Sequence, residues 1–200
     1  MRITLFALLL LSQPLVADEL PLPAPALYDV SGVTAGDVLN VRALPNAGAD
    51  VIGELPPDAE AIEVIAWSRK SEWALVNADD TAGWVAARFL APSEVRSGAW
   101  GLPEGFRCFG TEPFWMIAPT AEGFEITTPE TMESPDIISV QDFSPPDDIS
   151  LGLFFRGAEK GGALTSQVLP GRCSDGMSER AYGLHYTDSA GRLGCCTLAP

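Results

Sequence analysis

The sequence predicts an all-β protein, a small barrel followed by a second antiparallel β-barrel or sandwich tied by disulfides. Three observations carry this. Apolar residues come in short runs, several alternating with polar ones, at the period of half-buried strands. Glycine (19) and proline (17) are frequent among the 200 residues, which leaves little room for long helices. All four cysteines, Cys108, Cys173, Cys195 and Cys196, fall in the second half, where an even number suggests paired thiols.

The chain opens on Met1-Arg2, an apolar stretch over residues 3–11 (ITLFALLLL), and Leu15-Val16-Ala17 before Asp18-Glu19. A basic start, a short apolar core and a small residue at the end predict a signal peptide over residues 1–17, cut after Ala17. The apolar run is shorter than the roughly 20 residues of a membrane span, so no membrane anchor is expected after removal. Export to the periplasm or to the medium follows. Residues 18–25 read as a proline-rich linker (LPLPAPA runs over 20–26), and 93–105 as a second linker inside APSEVRSGAWGLPEG. These seams divide the chain into a first module at 26–92 and a second at 106–200.

In the first module, residues 38–42 (VLNVR) alternate, with Leu39 and Val41 on one side and Asn40 and Arg42 on the other. VIGELPPDAE follows, turning at Pro56-Pro57-Asp58. Further strands are expected at 61–67, 73–77 and 83–86, separated by the polar loops SRKSE and ADDTA. The LNVR strand, the proline-and-glycine loop after it, V-I-G-x-L-P-P, the tryptophan at 73 and the closing G-W-V-A-x-R-F-L together resemble a bacterial SH3 domain. That resemblance implies a small β-barrel that binds cell-wall peptides or accompanies cell-wall enzymes, and so binding rather than catalysis. Trp84 is expected in the core, and Trp73 at the lip of a polar loop. Trp73 and Asn40 are candidate ligand contacts, with the adjacent cations Arg69 and Lys70 as candidates for a peptide carboxylate.

In the second module, strands are expected at 114–117 and 124–127, as a hairpin about Glu122-Gly123. Others fall at 137–140, 149–155, 163–169, 181–187 and 193–198, the last two joined through DSAGR. Cys195 and Cys196 are adjacent, so on a strand their side chains point to opposite sides. Each then reaches a different partner, Cys108 or Cys173. Ser174 or Asp175 is a candidate cap for a helical turn, with a local ion pair between Glu179 and Arg180. This half resembles an uncharacterised family of exported bacterial domains. Its marks are G-[TN]-E-P-F-W, here residues 110–115, C-S-D-G-M-S-[DE]-R-x-Y, here 173–182, and a cysteine near the C-terminus. The resemblance identifies the domain without supplying an activity.

Catalytic readings fare poorly on these residues. A thiolate at Cys173 is consumed by a disulfide in an oxidising compartment. His185 is the single histidine, and no G-x-S-x-G elbow accompanies it. Carboxylate chemistry would have to use Glu112, Asp175 or Glu179 at a separation of about 5–10 Å. The favoured reading makes Glu112, Asp175, Ser178 and Arg180 a polar cluster that fastens two loops. No metal site is expected, because the cysteine spacing is wrong for zinc, and no cofactor is expected.

The chain carries 12 basic and 27 acidic residues. Loss of Arg2 with the leader leaves 11 against 27, a net of −16. Such a surface repels nucleic acid and anionic lipid and attracts cationic partners. The leading expectation is an exported binding protein whose partner is a cell-wall peptide or an envelope protein. The alternatives are an inhibitor of a cationic lytic enzyme such as lysozyme, and a cell-wall hydrolase targeted by the SH3-like module.

Overall fold

The computed structural model describes residues 22–144 and 152–199, so the signal peptide expected over 1–17 lies outside the described residues. The all-β prediction holds. In the first module, seven strands form one sheet: β1 (Leu22–Val30), β2 (Leu39–Arg42), β3 (Val51–Leu55), β4 (Ile62–Trp67), β5 (Trp73–Ala78), β6 (Thr81–Ala86) and β7 (Leu90–Pro92). Their spatial order is β3-β2-β6-β5-β4-β1-β7. Alternation in β2 works as expected: Leu39 and Val41 join Val30, Leu55, Val64, Val76 and Val85 in the core.

The stretch expected as an N-terminal linker up to residue 25 already belongs to this sheet from Leu22. β1 pairs with β4 and β7, and its register slips between Pro23 and Ala26. That irregularity is where a strand can seat residues that have no N–H to donate. The 93–105 stretch is likewise packed rather than open. Its Leu102 is 2% exposed and belongs to the second module's core. Trp100 donates its indole N–H to the Thr120 carbonyl at 2.8 Å and sits edge-on to Phe143.

The second module is a closed antiparallel barrel of eight strands: β8 (Arg107–Thr111), β9 (Phe114–Thr120), β10 (Gly123–Thr127), β11 (Asp136–Ser144), β12 (Leu153–Glu159), β13 (Gly162–Cys173), β14 (Tyr182–Asp188) and β15 (Leu193–Thr197). The expected hairpin is the β9–β10 pair, running from Gly123 opposite Thr120 to Thr127 opposite Met116. Eight strands enclose just enough room for side chains. Phe124, Phe155, Ile117, Ile138, Leu164, Leu184 and Tyr186 fill it, with Phe124 and Phe155 stacked at 4.3 Å.

Both disulfides lie on β15. Cys196 faces inward and joins Cys108 on the neighbouring strand; Cys195 faces the other way and joins Cys173. Successive residues of a strand point to opposite faces, so two adjacent cysteines tie two different places.

Candidate functional site

The groove on the first module is assembled by alternation and one tight turn. Because Leu39 and Val41 fill the core, Asn40 and Arg42 are turned to the opposite face of β2. Trp73 opens β5 and pairs with Ala86 at the end of β6. A 3-10 turn at Ala87–Phe89 then swings Arg88 and Phe89 beside it. With the 32–38 loop, these residues line a groove of about 340 Å³. A second depression, lined also by Pro45, Asn46 and Ser71, shares Ala47, Trp73 and Arg88 with it.

Trp73 is half-buried, so one part of the indole anchors in the fold while the rest is offered to the groove. The Arg88 guanidinium stacks 4.5 Å from the Phe89 ring centre, and Arg42 Nη1 donates to the Ala49 carbonyl at 2.7 Å. Asp37 is the one carboxylate of the lining, and it is partly engaged by the Val38 N–H. Two guanidiniums therefore face one carboxylate, in a chain of net charge −15.

Of the residues singled out in the sequence, Trp73 and Asn40 line this groove. Arg69 and Lys70 do not; both are exposed on the turn after β4. The cations that do line it, Arg42 and Arg88, were legible only indirectly. Arg42 shares the face of Asn40 in the LNVR alternation, and Arg88 is the arginine of the G-W-V-A-x-R-F-L stretch. Trp84 is half-buried and packs on Ile65, Ala66, Leu75 and Ala181, a cluster between the modules rather than the centre of the first one.

The CSDGMSERAYG segment does not form a helical turn. Gly176 has φ +71°, outside the helical region, and the chain bends instead. The Asp175 carboxylate organises the bend by accepting from Met177 N–H (3.0 Å), Ser178 N–H (3.0 Å), the Ser178 hydroxyl (2.8 Å) and the Tyr182 hydroxyl (3.3 Å). Burial alone would raise this carboxyl's pKa, but the donors on Met177, Ser178 and Tyr182 hold it below the usual aspartate value. The expected cluster is present around Asp175 and Ser178, while Glu112 and the side chain of Arg180 point elsewhere. Glu112 is exposed, and its neighbour Thr111 makes the tie between the two motifs, donating to the Asp175 carbonyl at 3.0 Å. Arg180 stays tied to the loop through its backbone N–H, which donates to Ser178 Oγ at 3.2 Å, while its side chain reaches the first module, where Nη1 donates to the Asp79 carbonyl at 3.2 Å. It therefore makes no ion pair with Glu179 among the described contacts; Glu179 instead uses its backbone.

That reach is part of a docking seam. Glu179 forms a parallel bridge with Thr81, its carbonyl accepting from Ala82 N–H at 2.9 Å. Asn77 pairs both ways with Ala181: its amide donates to the Ala181 carbonyl at 2.8 Å and its oxygen accepts the Ala181 N–H at 3.0 Å. Gly183 lets the backbones close up, since a Cβ there would lie 3.0 Å from Pro25 and 3.2 Å from the Ile65 carbonyl. Asn77 carried no signal in the sequence, because its partner is 104 positions away.

Residues 37–91 match the family model of the bacterial SH3 domain. This stretch is a bacterial SH3 domain. Its span takes in β2 to β6 and the start of β7, most of the groove lining, and Asn40, Arg42, Trp73, Arg88 and Phe89. β1 lies outside it, as a strand added to the SH3 sheet between β4 and β7. No curated protein and no solved structure matches the chain. Among the described residues, no group of three or more His, Cys, Asp or Glu side chains is placed to hold a metal ion.

Proposed function

We propose that this chain is an exported, non-enzymatic binding protein of the cell envelope, whose SH3 groove holds a peptide of the cell wall or of an envelope protein. The observation that carries the reading is the lining of that groove. Trp73 and Phe89 offer apolar faces, the Asn40 amide is free of partners among the described residues, and Arg42 and Arg88 supply fixed positive charge. An extended peptide suits this set: its side chain packs on the rings, its backbone meets the amide, and a carboxylate meets the guanidiniums. The surrounding acidic surface would turn an anionic peptide away elsewhere and leave the groove as its place of rest.

The test is co-sedimentation of the full-length chain with purified peptidoglycan, compared with glycan strands stripped of their peptides. The intact polymer should retain the protein and the stripped one should not. Trp73→Ala and Arg88→Ala should each weaken retention about tenfold, the equivalent of about 1.4 kcal/mol. Equal retention on both polymers, or none on either, would refute cell-wall peptide recognition. A second reading rests on the net charge of −15, which suits a cationic lytic enzyme as partner. Lysozyme activity left unchanged by excess protein would sink it.

A further inference from the structure

Between the two modules, Glu63 of β4 is only 5% exposed, and its surroundings are poorly matched to a charge. Oε2 accepts from the Thr197 hydroxyl, whose oxygen in turn accepts the Ala199 N–H at 3.2 Å. Oε1 is buried with no partner at all. The positive charge closest in effect is Arg107 on β8, yet that guanidinium is committed to the carbonyls of Gly105 (3.1 Å) and Ala199 (2.6 Å). From β14, the Tyr182 hydroxyl faces this region and is engaged with Asp175. From β1, Asp29 is held by the Ala61 N–H and the Ser93 hydroxyl. No cation closes on Glu63 among the described residues, and a buried carboxylate without one is costly.

We propose that Glu63 and the chain end at residues 197–199 form a pH-sensitive latch, which locks the two modules together in acid and loosens the seam once the carboxyl ionises. In the closed seam, the neutral carboxyl keeps Thr197 and the tail against β4. Opening the seam gives the group to water, where it behaves as an ordinary glutamic acid and releases its proton to solvent. Burial pushes the carboxyl from 4.5 up to about 7 in the closed state, against the smaller pull of the Thr197, Leu198 and Ala199 donors and of Arg107. The closed state therefore binds the proton more tightly than the open one. Closure is favoured most at and below pH 4.5, weakens as pH rises, and levels off just above pH 7. Each unit of that displacement is a factor of ten, so the opening equilibrium rises on the order of fifty- to a hundredfold between pH 5 and 8. The Cys108–Cys196 disulfide holds β15 in the barrel throughout, which confines the movement to the seam.

Amide hydrogen exchange on the full-length chain, corrected for intrinsic rates, tests the latch. Protection of the Leu198 and Ala199 amides and of β4 should fall on the order of fifty- to a hundredfold from pH 5 to pH 8. Glu63→Gln, which cannot ionise, should show no such fall. His185→Gln should retain it; His185 is exposed against Gly171, and histidine is the other side chain that changes charge near neutrality. Unchanged protection in the wild type, the same fall in Glu63→Gln, or its loss in His185→Gln would each overturn the proposal. If Glu63→Gln does not fold, a carbon-detected titration of the wild-type Glu63 carboxyl decides. An inflection near 4.5 rather than near 7 overturns the latch.

Discussion

Asn77→Ala is the substitution that most directly tests whether the two modules act as one body. It removes both hydrogen bonds to Ala181, at 2.8 and 3.0 Å, without disturbing the strand pairing of β5. Each bond contributes about 1 kcal/mol net. Ala181 is 6% exposed, so its N–H and carbonyl are left in a seam that water reaches poorly. A buried backbone group without a partner adds about 1–3 kcal/mol. The expected loss is about 2–4 kcal/mol, or a fall in Tm of roughly 5–12 °C for a chain of this size. Differential scanning calorimetry of the full-length protein measures it, and also reads the coupling: the variant should melt in two separated transitions where the wild type melts in one. A loss under about 0.5 kcal/mol with one unchanged transition would mean that the seam does not depend on this pairing.

Removing the outer disulfide with Cys173→Ser and Cys195→Ser opens a loop of sequence separation 22 and should cost about 3 kcal/mol by chemical denaturation, on the chain-entropy account. Removing Cys108–Cys196, of separation 88, should cost more, about 4–5 kcal/mol. Asp175→Asn should lower stability by about 1–2 kcal/mol at pH 7, because the carboxylate's charge-assisted hydrogen bonds become neutral ones. That carboxyl sits below its ordinary value of 3.8. Its contribution is therefore present above that pH and is lost as pH falls through the lowered folded value, so acid unfolding curves of variant and wild type should converge there.

Much of the fold was legible because strands announce themselves locally. The β2 alternation placed Leu39 and Val41 inside and Asn40 outside, and the adjacency of Cys195 and Cys196 required two different partners. Both follow from the two-residue period of a strand. The linkers were less legible. Proline suggests an extended chain but does not say whether a neighbouring strand will pair with it, and β4 and β7 do pair with β1. Arg69 and Lys70 stand out in the sequence because they are adjacent, whereas the groove lining is set by face and turn, which brought Arg42 and Arg88 together from 46 positions apart.

By itself, then, the sequence determined the all-β class, the SH3 module and the constraint on the disulfides. Each rests on local period, turn chemistry or a motif contained in one stretch. Only the tertiary structure decided that CSDGMSERAYG docks the barrel onto the SH3 sheet, that Asn77 receives it, and that Glu63 is buried beneath the chain end. Those contacts join residues 101 to 134 positions apart. Nothing in a local pattern records which of many polar side chains will lose water, because that depends on what the folded chain lays over them.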